Sequence, residues 1–421
     1  MAELPPEILE HIFTGVTGDR CQNYRYFSLV CSSWRGPAQR ELFGIATFTV
    51  TRLDLLVSSL DHFSYTSLLD NIYLCSLIAS VPQLRISLFN SSALDPKFPA
   101  FLRLFTRIKK LFLSHNTKLY LFDEHHPHTL KSALLQLIHL PTLTSMVAHA
   151  QSLPIWFIPA CVHLEDLQWI SLPLQHRSVN PHLIGRDSST CHLTNLYLEG
   201  SGANIISFMS WARRNSQSMP MFKVKNVTLC FRSNPHIWNY PFSLFCNATN
   251  VTLKFNQSIG SEFEYDPNQL KSLVSLKLVT PLKTAESNDP YKAMYRIFSW
   301  LGPFTTSPLL NLQTIQIEIL YDTRDKWDQA PLLLQAADRV IERSVVMTRI
   351  NSHFPQLKEF EVYAPWLRSH HANRIFAVPR SVLPDAVLSC GPRPPGDFEA
   401  TSSRPKDFAG YGARPFKSYT I

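Results

Sequence analysis

A six-residue pattern, apolar-x-x-apolar-x-apolar, recurs along most of this 421-residue chain and limits what it can fold into. It runs through Val81-x-x-Leu84-x-Ile86, Ile108-x-x-Leu111-x-Leu113, Leu164-x-x-Leu167-x-Trp169, Leu193-x-x-Leu196-x-Leu198 and Val224-x-x-Val227-x-Leu229. It continues through Ala248-x-x-Val251-x-Leu253, Leu273-x-x-Leu276-x-Leu278, Leu312-x-x-Ile315-x-Ile317 and Leu357-x-x-Phe360-x-Val362. The second and third apolar residues alternate at strand period, so each copy predicts one short strand with one buried face. Copies lie 24 to 45 residues apart, except for a wider gap after Leu113 that an incomplete copy, Leu140-x-x-Leu143, partly fills.

Several intervals predict helices. Asp289-Pro290 reads as an N-cap followed by Pro at the first helical position of 291–301. Residues 330–350 form a longer amphipathic run, and 204–214 is a third candidate. Strand, connection and helix at this spacing predict an α/β fold: an irregular leucine-rich-repeat-like solenoid of short parallel strands and helices over residues 81–383. The Asn or Cys that follows the strand motif in such repeats is mostly missing. A mixed α/β domain with coincidental strand patterns therefore stays open. Thirty prolines against 13 glycines suit many short elements with stiff connections.

Residues 1–45 read differently. Pro5 and Pro6 can be accommodated where a helix begins, and Glu7 and Glu10 favour the positive end of its dipole. Ile8, Leu9, Ile12, Phe13 and Val16 form one apolar stripe. A second cluster, Phe27 to Cys31, leads to Trp34-Arg35; Gly36-Pro37 is expected to break the chain before a third short helix at 38–43. Three short helices bury too little surface to stand alone, so some of it is expected to meet a partner or to cap the solenoid. Residues 46–80 read as a helical junction, from the leucines at 53, 55, 56 and 60 and the apolar residues at 68, 69, 72 and 74.

The order Leu4-Pro5-x-Glu7-Ile8-Leu9-x-x-Ile12-Phe13, Leu29-Val30-Cys31-x-x-Trp34-Arg35, Leu42-Phe43 resembles an F-box, most of all those that open divergent repeat proteins of mushroom-forming fungi. The resemblance implies a three-helix box that docks on the Skp-family adaptor of a cullin–RING ubiquitin ligase. It assigns Leu4, Pro5, Ile8, Leu9 and Ile12 to the first contact surface. Leu29, Val30, Cys31 and Trp34 go to the second part of the contact and the box's own core. Tyr24 and Tyr26 stand where aliphatic residues are usual in the family.

The formal charge of +8 raises nucleic acid as a ligand, but the cations are spread. Residues 1–50 carry four Arg and five acidic residues, and 366–421 carry eight basic and four acidic ones. A nucleic-acid binder concentrates such charge in a stripe, so nucleic acid is not the expected partner. No apolar run reaches the ~18–20 residues of a membrane span, and the N-terminus lacks a signal-peptide pattern, so an intracellular protein is expected. The eight cysteines are scattered singly and read as small buried residues. Sequons at Asn90, Asn226, Asn247, Asn250 and Asn256 read as Asn beside strand-forming residues.

Chemistry-bearing motifs are few. Asp123-Glu124-His125-His126-Pro127-His128 is the obvious ligand cluster, but adjacent ligands around a proline seldom close a metal site, so neither a metal nor a cofactor is expected. There is no phosphate-binding glycine loop, nucleophile elbow or His-Glu-x-x-His, which leaves no catalytic residue to name. Trp238 and Tyr240, between prolines at 235 and 241, are the candidate target-binding residues among aromatics that mostly belong to the core. The tail, 384–421, is Pro-rich and too poor in aliphatics to fold alone. The expected function is that of a non-catalytic receptor joining an adaptor and cullin to an unknown protein target. The alternative is a ligase-independent scaffold with a vestigial box.

Overall fold

The computed structural model describes residues 8, 12, 23, 26, 32–45, 47–51, 54–57, 60–64, 72–88, 98–115, 128–150, 161, 163–171, 193–214, 223–233, 242–256, 267–282, 309–321 and 354–363. The strands are β1 (Thr47–Thr51), β2 (Asp54–Val57), β3 (Leu60–Ser64), β4 (Gln83–Leu88), β5 (Lys110–His115), β6 (Ser145–Ala150) and β7 (Asp166–Ile170). They continue as β8 (Asn195–Gly200), β9 (Asn226–Phe231), β10 (Asn250–Phe255), β11 (Ser275–Leu282), β12 (Thr314–Tyr321) and β13 (Glu359–Tyr363). Helix α1 (Ser32–Ile45) precedes them, and α2 (Ile72–Ile78), α3 (Phe98–Leu102), α4 (His128–Ile138) and α5 (Gly202–Arg214) lie between them, with 3-10 turns at Phe242–Phe245 and Pro267–Leu270.

All thirteen strands form one sheet in the order β13 through β4, then β1, β2, β3. The fold is α/β, and from β4 to β13 each strand runs parallel to its successor in the chain. The alternation observed on β7 and β10, buried residues between half-exposed or exposed ones, is that of a sheet with one buried and one polar face. The nine full copies of the apolar pattern coincide with β4, β5 and β7 to β13.

Two devices repeat at the strand starts of the parallel ladder. The carbonyl just before one strand accepts two consecutive N–H groups at the start of the next: Lys225 O accepts from Thr249 and Asn250, at 2.9 and 3.0 Å. The same double bond recurs from β4 to β13, at 2.7–3.1 Å throughout. A tight turn precedes seven of these strands, in which the first apolar anchor donates to the carbonyl three residues back, as Leu273 does to Leu270. Both bonds satisfy backbone groups that would otherwise lie unpaired against the core.

That turn corrects the reading around residue 140. Leu140-x-x-Leu143 is the turn, closed by the Leu143 N–H on the Leu140 carbonyl, and the full copy is Leu143-x-x-Met146-x-Ala148. Leu143, Met146 and Ala148 are all buried. The wide gap therefore does not exist, and the shortest interval is the 21 residues from Ser145 to Asp166. A further copy, Ile45-x-x-Phe48-x-Val50, was missed: Phe48 and Val50 pair in register with Leu84 and Ile86.

Two other expectations fail in their local detail. The junction at 46–80 is not helical throughout, since β1, β2 and β3 occupy 47–51, 54–57 and 60–64 ahead of α2 at Ile72–Ile78. Pairing of Thr51 with Asp54, and of Val57 with Leu60, leaves two residues between strands, the hairpin length. The leucines at 53, 56 and 60 mimic a helical stripe by coincidence. Gly36-Pro37 does not break the chain either, because α1 runs from Ser32 to Ile45 with Pro37 inside it. Pro37 lies early in that helix, where its missing N–H costs one bond, to the Ser33 carbonyl.

The core lies on the helix side of the sheet. Trp169 of β7, fully buried, meets Phe208 of α5 edge-on with centroids 6.1 Å apart. Ser201 caps α5, its Oγ accepting the Asn204 N–H at 3.2 Å, so the helix begins two residues before the expected 204. Phe231 and Phe255, paired across β9 and β10, stack at 5.1 Å.

Candidate recognition face

The residues between the apolar anchors project from the opposite face. Because the strands are in register, residues of equal rank form rows across the sheet. The first row includes Asp166, Asn195, Asn226 and Asn250. Asn195 Nδ2 donates to Asp166 Oδ1, Asn226 Nδ2 to Asn195 Oδ1 at 2.6 Å, and Asn250 Nδ2 to Asn226 Oδ1 at 2.6 Å. This amide ladder ties four strands together. Two of its members sit in the sequons Asn226-Val227-Thr228 and Asn250-Val251-Thr252, and their side-chain amides are structural here.

Deeper along β8 to β12 the rows carry charge. Tyr197 Oη donates to Glu199 Oε2 and Arg232 Nε to Glu199 Oε1, both at 2.8 Å. The Lys254 ammonium stands 5.9 Å from the Tyr197 ring centre. Lys277 and Glu318 pair at 2.8 Å with both side chains mostly covered. The Cys230 thiol faces Asn256 Oδ1 at 3.8 Å.

Half-burial shapes the ionisation of these groups. The Tyr197 hydroxyl is pushed up, first by burial and then by Cys230 and Glu199. Burial also raises the Cys230 thiol, with Glu199 adding to it, and lowers the Lys254 ammonium. The His149 imidazole is lowered, by burial and then by the Arg232 charge. A protonated, 5% exposed thiol is a poor nucleophile. Alkylation near pH 8, followed by mass mapping, should label the half-exposed Cys75 and Cys246 before Cys230.

This arrangement can hold a ligand through ion pairs and hydrogen bonds. Among the described residues no group of three or more His, Cys, Asp or Glu is placed to hold a metal ion. No helix among them is long and apolar enough to cross a membrane.

Of the residues singled out beforehand, Ile8 and Ile12 are helical and exposed, at 49% and 36%, and Trp34 lies half-buried in α1. Leu4, Pro5, Leu9, Leu29, Val30, Cys31, Trp238 and Tyr240 lie outside the described residues. So do residues 123–127, His370-His371, the helices expected at 291–301 and 330–350, and the tail from 384. Of the three helices expected in residues 1–45, α1 is the one described along its length.

Sequence reasoning missed Tyr197, Glu199, Arg232, Lys254, Lys277 and Glu318, which fall at positions the apolar pattern leaves open. One signal was there: Glu199, Lys254 and Glu318 share the same offset from their first anchors, and so, at another offset, do Asn195, Asn226 and Asn250. Fold and face together define a class, a long parallel ladder with a buried helix side and a polar, charge-networked side. No protein-family model matches this sequence, and no curated protein matches it either.

Proposed function

We propose that this chain is the substrate-recognition subunit of a Skp–cullin–F-box ubiquitin ligase, working inside the cell. Its N-terminal box would bind the Skp-family adaptor, and through it cullin, while the ladder, a leucine-rich-repeat-like solenoid, holds a protein target. The observation that carries the reading is the pair Ile8 and Ile12: two large apolar side chains, one helical turn apart and exposed, at positions the box motif gives to the adaptor. Junction geometry supports it as well. One residue separates the end of α1 from β1, and α1 packs on α2, which leads into β4. α1 is thereby held against the start of the ladder, and a fixed distance between target and transferred ubiquitin is what proximity catalysis needs. The solenoid reading rests on sequence-ordered parallel strands with a helix or 3-10 turn in several of the connections.

The test is co-purification of the full chain with adaptor and cullin, beside Ile8→Asp/Ile12→Asp. Two buried apolar contacts replaced by carboxylates should weaken adaptor binding about 100-fold or more, with circular dichroism unchanged. A folded wild-type chain that recovers neither partner would replace this reading with that of a ligase-independent scaffold.

A further inference from the structure

Charge is uneven along the ladder. Residues 72–150 carry eight Lys or Arg against three acidic residues, which is five of the chain's eight net positive charges. The described residues of that stretch contain no Asp or Glu. Part of this charge sits in the short loop from α3 to β5, where Arg103, Thr106, Arg107 and Lys109 are exposed. Phe105 and Ile108, between them, are buried. Phe105 meets Phe101 of α3 edge-on at 5.1 Å, and the Lys109 N–H donates to the Pro82 carbonyl at 2.7 Å. The loop is thus anchored at alternating points and presents its cations from a fixed backbone. Arg103, Arg107 and Lys109 have no ion pair or side-chain hydrogen bond among the described residues.

Arg107 also lines an open cleft of about 550 Å³ between α1 and the start of the ladder, with Gly36 of α1, Ser76 and Leu77 of α2, Ser80 and Thr106. The hydroxyls of Ser80 and Thr106 already donate, to the Leu77 carbonyl at 2.7 Å and the Ala79 carbonyl at 3.3 Å. No carboxylate is among the described lining, so the Arg107 guanidinium is the strong donor that the cleft offers an incoming group. A carboxylate matches that planar fork with two parallel hydrogen bonds. A nucleic-acid strand would call for rings on which bases stack, and no aromatic side chain is among the described lining.

We propose that this cleft docks an acidic segment of a partner protein, with one carboxylate on Arg107 and flanking carboxylates along Arg103 and Lys109. The surface lies on the strand-start side of the sheet, apart from the charge network of β8 to β12. It goes beyond the ligase reading and stands whether or not the adaptor binds.

The test is fluorescence anisotropy of the full chain with a labelled hexaglutamate peptide, beside its hexalysine counterpart and a single-stranded oligonucleotide of equal charge. Hexaglutamate should bind, more weakly as salt is added, and more tightly than the oligonucleotide. Arg107→Glu should reduce its affinity about tenfold or more. If that variant does not fold, Arg107→Gln should give a smaller loss in the same direction. Thr106→Phe, which fills the cleft and leaves the charge unchanged, should weaken binding as well. Arg213→Glu makes the same change of net charge at an exposed position of α5 and should alter the affinity less than about twofold. No binding, equal binding of hexalysine, tighter binding of the oligonucleotide, an equal loss in Arg213→Glu, or unchanged affinity in folded Arg107 or Thr106 variants would overturn the proposal. Adaptor recovery is measured separately, so a chain can fail one test and pass the other.

Discussion

Trp169→Ala should destabilise the protein by about 3–5 kcal/mol, the range for deleting a large buried aromatic side chain. Trp169 is fully buried and serves as the third anchor of β7, where neighbouring copies place Ala148 and Leu198. Its ring bridges sheet and helix through its edge-on contact with Phe208, which in turn lies 6.3 Å from Trp211. Removing it opens a cavity that the parallel backbone, bonded on both sides, cannot collapse to fill. Urea unfolding of wild type and variant measures the difference, and Trp169→Phe should recover part of it. A loss below about 1 kcal/mol would mean that the sheet–helix contact is not what holds this part of the ladder.

Thr228→Pro should have an effect of similar size by another route. Thr228 is an outward, half-exposed residue of β9, so its replacement removes little core. β9, however, is bonded to β8 on one side and β10 on the other, and proline deletes a backbone donor and clashes within the ladder, a cost comparable to the ~3 kcal/mol it carries inside a helix. Each strand of β4 to β13 is bonded only to its immediate neighbours, so the break separates β1–β8 from β10–β13. Calorimetry should show one cooperative transition split into two, as in a one-dimensional array. Thr228→Val, which keeps the donor and the β-branched shape, should leave a single transition. A proline variant that melts like wild type would contradict the nearest-neighbour picture.

These two sites show what could be read in the sequence. Trp169 was legible as a buried strand residue because inward positions repeat at a fixed offset. The same offsets placed nine strands of the ladder correctly. Leu143 was misassigned because Met146 and Ala148 are weak apolar signals, and because the turn that precedes a strand itself has the spacing apolar-x-x-apolar. The strands at 54–57 and 60–64 were missed because hairpin leucines can fall at helical intervals. The polar face was hardly legible at all. Tyr197 meets Glu199 within one strand, but Arg232 comes from 33 residues further on. Such partners become neighbours only once the register is known, and the apolar pattern assigns those positions no identity.

The doubled hydrogen bond at the starts of β5 to β13 has a consequence for how such a chain can change over time. The stretch from Thr314 to Glu359 is more than twice as long as that from Ser145 to Asp166, yet both end on the same pair of N–H groups held by one carbonyl. Each strand from β5 to β13 is thus re-phased at its first residue, whatever length of chain came before it. Insertions and deletions between strands do not accumulate into slippage downstream, so the return segments are free to lengthen, shorten and diverge while the polar rows stay aligned.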